Sequence, residues 1–332
     1  MTCLDAFGEL IGSDPDFLRV IEDARLAAAT PFTVLLTGET GTGKSLIARG
    51  IHEASDRSSK SFVLIDLGLL PKETQDAELF GYVRGAFTGA SDKGRDGLLA
   101  AADKGTVLFD EVGDASAATQ SKLLRLLQER KIRRMGSNDE ISLDIRVIAA
   151  TNRKINEMTQ KGRFRADLYY RLKVIVLNIP PLRDRSRSDF ESLTDHFLKK
   201  HAISGRDISI DAGVRDFLWE YPARWPGNVR ELEATIQRLI ALSESDKITR
   251  PIAQQIIDRQ VTPEERFQIE SNRARRETLQ YARDSAEKQQ IEETLRKYAG
   301  SRTRVASELE MSTRTLSRLI KKHGIGSTGA EE

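Results

Sequence analysis

One run of eight residues constrains this chain more than any other: Gly38-Glu39-Thr40-Gly41-Thr42-Gly43-Lys44-Ser45. It fits the spacing GxxxxGKS, follows the apolar run Thr33 to Thr37 and leads into the helical spacing of Lys44 to Ser55. Strand, glycine-rich loop and helix in that order make a cradle for phosphate. Glycines let the backbone wrap an anion without a Cβ clash, and the helix N-terminus attracts it. In this setting Lys44 reaches the β- and γ-phosphates of a nucleotide, and the Ser45 hydroxyl ligates Mg²⁺.

Four further apolar runs read as buried strands: Phe62 to Asp66, Thr106 to Glu111, Arg146 to Thr151 and Val174 to Ile179. Helical spacing fills most of the gaps, as in Ala117 to Glu129 with Leu123, Leu124, Leu126 and Leu127. Strands apolar on both faces and alternating with helices predict an α/β fold with a mostly parallel sheet. The third strand runs into Asp110-Glu111. Acids at the end of an apolar strand are costly unless they serve a cation or a water. Asp110 suits the acid that organises Mg²⁺, and Glu111 the one that polarises an attacking water.

Beyond Pro180-Pro181 the pattern becomes helical, from about Asp189 to Ile257, with no strand signal. Asn228, with Glu231 three residues on, reads as the N-cap of a capping box. Residues 261–290 mix six basic and six acidic residues with few large apolar ones, the composition of a charged linker. From Gln289 onward three short helices are expected. Ile291, Leu295 and Tyr298 share one face of the first. Ser301 is read as capping a second helix through Glu310, and Ser312 a third through Lys322. Val305 and Leu309 face one way in the second, as do Leu316, Leu319 and Ile320 in the third. A tight turn at Met311 completes helix-turn-helix logic.

The net charge of the 332 residues is only +2, so nucleic-acid binding must come from a local patch. Lys288 to Ile325 supplies one, with nine Lys or Arg against four acids. Thr313, Arg314, Thr315 and Arg318 would face the DNA major groove. Arg302, Thr303, Lys321 and Lys322 suit phosphates. The one cysteine, Cys3, excludes an internal disulfide framework and a multi-cysteine zinc site. No apolar run approaches the ~18 residues that span a bilayer. Met1 to Gly12 carries two acids and no Lys or Arg, unlike a signal peptide, so the expected location is a reducing cytoplasm.

Gly85-Ala86-Phe87-Thr88-Gly89-Ala90, with the phosphate loop, Ile179-Pro180-Pro181-Leu182-Arg183 and Trp225-Pro226-Gly227-Asn228-Val229-Arg230-Glu231-Leu232, resembles the AAA+ ATPases that activate bacterial sigma-54 RNA polymerase. The final module resembles their Fis-type DNA-binding domain. The resemblance implies a short segment 1–9, an α/β ATPase subdomain 10–182, a helical lid 183–258, a linker 259–287, a helix-turn-helix domain 288–326 and a tail 327–332. It implies ATP with Mg²⁺, bound by the phosphate loop, by Leu10 and Ile11 and by Arg230 as second sensor. Asn152 would be the first sensor, and Arg165 and Arg171 the arginine fingers given to a neighbouring subunit. Gly85 to Ala90 would contact sigma-54.

The implied partners are sigma-54 RNA polymerase, an upstream DNA site, and copies of the chain in a ring. That ring is a hexamer in the family, or a mixed ring with a paralogue. The expected place is the bacterial cytoplasm, at the nucleoid, with no membrane contact. With only about nine residues before the match, no N-terminal sensor domain is expected. Control would then fall to a regulatory protein in trans, to synthesis level or to mixed rings. A different AAA+ remodelling machine, or a DNA-bound subunit that needs a paralogue, would share parts of this pattern.

Two residues depart from the family. Ser45 stands where many relatives have an acid, which favours Mg²⁺. Asp66 stands where an Asn usually restrains the catalytic Glu, and two nearby carboxylates would repel each other. Asp66→Asn is therefore expected to change ATP turnover or its response to sigma-54. Identical turnover at every pH together with an identical sigma-54 response would remove Asp66 from this role.

Overall fold

Five strands form the sheet in a computed structural model that describes residues 5–86, 93–204, 206–221, 225–259, 285, 288–298, 301–309, 311–323 and 325. They are β1 (Val34–Thr37), β2 (Phe62–Asp66), β3 (Thr106–Asp110), β4 (Arg146–Thr151) and β5 (Ile175–Asn178), in spatial order β2-β3-β4-β1-β5. Every pairing is parallel. Side chains alternate across a strand, so the inner strands β1, β3 and β4 each feed two cores. Leu35, Val107, Phe109, Val147 and Ala149 face one side, and Val34, Leu36, Leu108, Ile148 and Ala150 the other. This explains why the strands read as continuous apolar runs.

Helices cover both faces. On one, α1 (Pro15–Ala28) and α2 (Lys44–Glu53) supply Phe17, Ile21, Ala24, Ile47 and Ile51. On the other lie α3 (Gln75–Phe80), α4 (Ala117–Glu129), α5 (Ile155–Gln160) and α6 (Ala166–Leu172), contributing Leu79, Leu123, Leu126, Ile155 and Leu168. Asp14 starts α1 by accepting the Asp16 and Phe17 N–H groups, with Pro15 following. Arg146 enters β4 only 1% exposed. Its guanidinium donates to the Ala27 and Ala28 carbonyls at 2.6 and 3.0 Å, at the C-terminal end of α1 where the helix dipole favours a cation. The β3 strand ends at Asp110, one residue before the expected boundary.

The lid comprises α7 (Arg187–Lys200), α8 (Ala212–Trp219), α9 (Asn228–Leu242) and α10 (Arg250–Asp258). Phe190 packs against the rings of Trp219 and Trp225 at 5.6 and 6.0 Å. It also holds a parallel two-residue bridge, Ser209–Ile210 with Lys247–Ile248, too short to leave a periodic signal. Asn228 corrects the expected cap. Gly227 occupies the N-cap position, and Asn228 is the first helical residue, in the left-handed region at φ 55°. The Asn228 side chain turns away to other partners, while Glu231, four residues beyond the cap, accepts the Gly227 N–H at 2.8 Å.

The chain divides into two units, Met1–Arg259 and Gln260–Glu332. In the second, residues 288–297 form α11, followed by α12 (Arg302–Glu308) and α13 (Thr313–His323). Ile291, Val305, Ala306, Leu316, Leu319 and Ile320 form its core, joined by Leu295, Tyr298 and Leu309, as the apolar spacing implied. Ser312 caps α13 by accepting the Thr315 N–H. Ser301 precedes α12, but its hydroxyl makes no capping bond, and α12 stops at Glu308 rather than Glu310. Most of the expected linker and the tail beyond Gly326 fall outside the described residues. Among the described residues, no helix is long and apolar enough to cross a membrane.

His52, on α2, is buried under the Phe62 ring with its Nδ1 at 2.9 Å from the Thr106 hydroxyl. Burial pushes its pKa down, with Arg146 and Arg49 adding to the effect against Glu53 and the Lys60 backbone. The folded chain thus resists a proton that the unfolded chain accepts. Stability should begin to fall as pH drops through about 6.5, by at most about 1.4 kcal/mol per pH unit, until the folded imidazole itself titrates. Unfolding midpoints measured from pH 7 to pH 5 should fall more steeply for the native chain than for His52→Gln. Parallel curves would show that His52 plays no part.

Candidate nucleotide site

The carboxyl ends of the parallel strands are level. Register pairs Asp66 with Asp110 and Thr37 with Thr151. β1 lies between β4 and β5, so its loop opens into the crevice where strand connections diverge, the usual ligand position in such sheets. A cavity of about 670 Å³ occupies that crevice.

One wall is the glycine-rich loop, from Thr40 to Leu46. Gly43 is in the left-handed region at φ 99° and stands as the N-cap of α2 without a side-chain cap, leaving the helix N-terminal N–H groups open to an anion. Lys44 is 6% exposed, its Nζ donating to the Gly38 and Glu39 carbonyls at 3.0 and 3.1 Å. Burial pushes its pKa down, opposed by Glu111 and Asp110. The Ser45 hydroxyl donates to Asp110 Oδ2 at 3.2 Å, which puts a hydroxyl and a carboxylate together as oxygen donors for a hard cation.

Glu111 lies 4.0 Å from Lys44 Nζ and is held at φ 49°, a strained conformation for a residue other than glycine. Its Oε2 accepts the Asn152 N–H at 3.0 Å, and Asn152 Nδ2 donates to the Thr40 hydroxyl at 2.9 Å. Asp66 lines the same cavity and accepts the Gly68 N–H at 2.9 Å.

The remaining walls bring together the predicted Leu10, Ile11 and Arg230 with residues that the sequence reading did not single out. Leu193, His196, Phe197 and Lys200 line the cavity from α7. Their spacing marks one helix face, but nothing local says what that face covers. Gly38, Glu39 and Asn152 are not in the lining. The Glu39 carboxylate instead pairs with Arg183 at 2.7 Å, and that guanidinium holds its pKa below the usual range.

Asp189, fully buried, ties the lid to the segment before α1. It accepts the Asp14 N–H at 2.9 Å and pairs with Arg185, which stacks 3.7 Å over Phe17 and donates to the Ile11 carbonyl. Burial alone would raise the Asp189 pKa, but the Ser13 N–H and Arg185 bring it below the ordinary value.

Arg165 and Arg171 lie at the N-cap and in the last turn of α6, exposed and outside the lining of this cavity. Arg165 pairs with Asp167 at 2.8 Å, and Arg171 makes no ion pair among the described residues. Gly85 and Ala86 follow a short antiparallel stem, Gly81–Tyr82 with Arg95–Asp96, which Val83 pins by donating to the Met135 carbonyl at 3.0 Å. Phe87, Thr88, Gly89 and Ala90 lie outside the described residues. In the second unit Arg302, Thr303, Thr313, Arg314, Arg318 and Lys322 are exposed. Thr315 is half-buried, with its hydroxyl 2.8 Å from that of Ser312. Lys321 lies on α13, its side chain outside the described set.

Family models match almost the whole chain: Sigma-54 interaction domain at residues 10–178, AAA+ ATPase lid domain at 183–266 and Bacterial regulatory protein, Fis family, at 282–323. The transcriptional regulatory protein GlrR of Escherichia coli is 42% identical over 276 residues, 80% of this chain and 61% of GlrR. The regulatory protein AtoC of Escherichia coli is 38% identical over 327 residues, 96% of this chain and 68% of AtoC. The chain thus spans about three fifths to two thirds of these two relatives. Among solved structures, NtrX from Brucella abortus in complex with ATP aligns over 96% of this chain and 69% of its own, with 28% identity and a TM-score of 0.65. With the phosphate loop, lid and helix-turn-helix all in place, the chain belongs to the sigma-54 interaction domain family of AAA+ proteins.

Proposed function

We propose that this chain is an ATP-hydrolysing activator of sigma-54 RNA polymerase that binds an upstream DNA site through its terminal helices. The observation that carries the reading is the convergence of Lys44, Ser45, Asp110, Glu111 and Arg230 on one cavity, in a chain whose residues 10–178 match the Sigma-54 interaction domain. The domain limits expected from sequence are part of the proposal, as is a location in the bacterial cytoplasm.

The α2 N-terminus and the loop N–H groups take the phosphates of ATP, and Lys44 leaves its loop carbonyls for the β- and γ-phosphates. Ser45 and Asp110 would hold Mg²⁺, which neutralises phosphate charge. Leu10, Ile11 and the α7 face enclose the base and exclude water. Glu111, aligned by the Asn152 N–H, orients a water for attack on the γ-phosphorus. The bond to the β-phosphate oxygen then breaks and ADP leaves. Arg230 approaches the phosphates from the lid.

Arg165 and Arg171 point the reading toward a ring, because they are exposed and line no part of their own cavity. Supplied by a neighbouring copy, or by a paralogue in a mixed ring, they would stabilise charge on the transferred phosphoryl group. Hydrolysis would then depend on assembly. Gly85 to Ala90, on their stem, would engage sigma-54 differently in the ATP and ADP states, since only a differential affinity can shift the promoter equilibrium. A protein acting in trans would set when this happens.

Purified protein, sigma-54 polymerase and a sigma-54 promoter test the proposal. Open complexes are expected with ATP and not with a non-hydrolysable analogue. ATPase without opening would point to another remodelling target or a missing paralogue, and neither activity would leave a DNA-bound auxiliary subunit. Glu111→Gln should bind ATP and hydrolyse it at least ~100-fold more slowly. Thr88→Ala should retain ATPase and lose opening; full opening by that variant would refute the assignment of the loop.

A further inference from the structure

Asn228 is fully buried in the turn that starts α9, yet none of its side-chain bonds serves that helix. Its Oδ1 accepts the Leu182 N–H at 2.8 Å, which fixes the hinge after Pro180-Pro181. Its Nδ2 donates to the Thr40 carbonyl at 3.0 Å and to Glu39 Oε2 at 3.2 Å, both in the phosphate loop. One residue on, the Val229 N–H donates to the Gly41 carbonyl at 3.1 Å. A Cβ at Gly41 would overlap the Gly227 carbonyl oxygen, so the lid rests directly on the loop backbone.

From Thr40 the bonds continue inward. The Thr40 hydroxyl accepts Asn152 Nδ2, and the Asn152 N–H holds the Glu111 carboxylate. A continuous series thus runs from lid to hydrolytic acid: Asn228, Thr40, Asn152, Glu111. Asn228 itself is absent from the cavity lining, so its influence on bound ATP must pass through these groups.

We propose that Asn228 is a positioning residue that sets the alignment of Glu111 from the lid, through Thr40 and Asn152. The proposal rests on the ATPase reading. It makes the lid position and the hydrolytic alignment one variable: a shift of the α9 turn against the loop moves the Thr40 carbonyl, and with it the hydroxyl that orients Asn152. The phosphate grip itself, from Lys44 and the loop N–H groups, does not use Asn228. The left-handed backbone at Asn228 suits Asn or Gly and few other residues. Asn228→Gly therefore keeps the turn and deletes only the side-chain bonds.

The experiment compares ATP turnover of the full chain with Asn228→Gly, Thr40→Val, the double variant and Thr40→Ser, each checked for native unfolding behaviour. Asn228→Gly is expected to lower kcat at least ~10-fold with KM for ATP within about 3-fold, since misplacing an attacking group costs rate rather than grip. Thr40→Val should lower kcat comparably and Thr40→Ser restore most of it. Because both residues act through Asn152, the double variant should lose little more than the worse single variant. Losses that multiply, or a fall in Asn228→Gly confined to KM, would overturn the relay while leaving the ATPase reading intact. Should Asn228→Gly fail to fold, Thr40→Val with native kcat overturns the relay by itself. A native chain that neither binds nor hydrolyses ATP would overturn both.

Discussion

The lid of this protein touches its phosphate loop through main chain and buried polar groups rather than through a pliable apolar surface. Gly41 meets the Gly227 carbonyl, Val229 donates to the Gly41 carbonyl, and Asn228 spans Thr40, Glu39 and Leu182. Such contacts are satisfied in one register only. A slip of an ångström leaves buried donors and acceptors unpaired, at about 1–3 kcal/mol each. The hinge, the loop and the first turn of α9 therefore behave as one part. Around it stands the Glu39–Arg183 pair, and the Arg185–Asp189 pair anchors the segment carrying Leu10 and Ile11.

The sheet makes this arrangement useful. Parallel register brings Thr37, Asp66, Asp110 and Thr151 to a common edge, and the alternating faces of β1, β3 and β4 bury their apolar side chains in two cores. Beyond that edge Leu67, Val112 and Ile179 still pack into the two cores, while the acids between them face the cavity. Glu111 departs from ordinary backbone geometry there, and three carboxylates gather near one buried lysine. Asp66 adds to that negative charge, and its bond to the Gly68 N–H gives its carboxylate a fixed place.

The parts legible in sequence are those whose cause is local. The phosphate loop, the acids ending β3, the five strands and the apolar faces of α11, α12 and α13 each follow from spacing within a dozen residues or so. The expected cap at Asn228 failed because the pattern Asn-x-x-Glu carries no information about Leu182 or Thr40, 46 and 188 residues away. The α7 wall of the cavity fell in a stretch legible as helical, with nothing local to mark it as a wall. Arg146 reads as an ordinary strand-end charge until the end of α1 is brought against it.

Spacing and composition alone thus placed the elements and their functional groups: a glycine-rich phosphate loop, an Asp–Glu pair at a strand end, a helical stretch after Pro181 and a basic helix-turn-helix, because backbone propensity, side-chain periodicity and donor type act over short range. The tertiary structure decided the partnerships. It gave Asn228 to the phosphate loop instead of its own helix, gave Glu39 to Arg183, and left Arg165 and Arg171 outside their own cavity. A buried polar group takes whichever donor or acceptor the folded chain brings within reach, and no local pattern encodes which one that is.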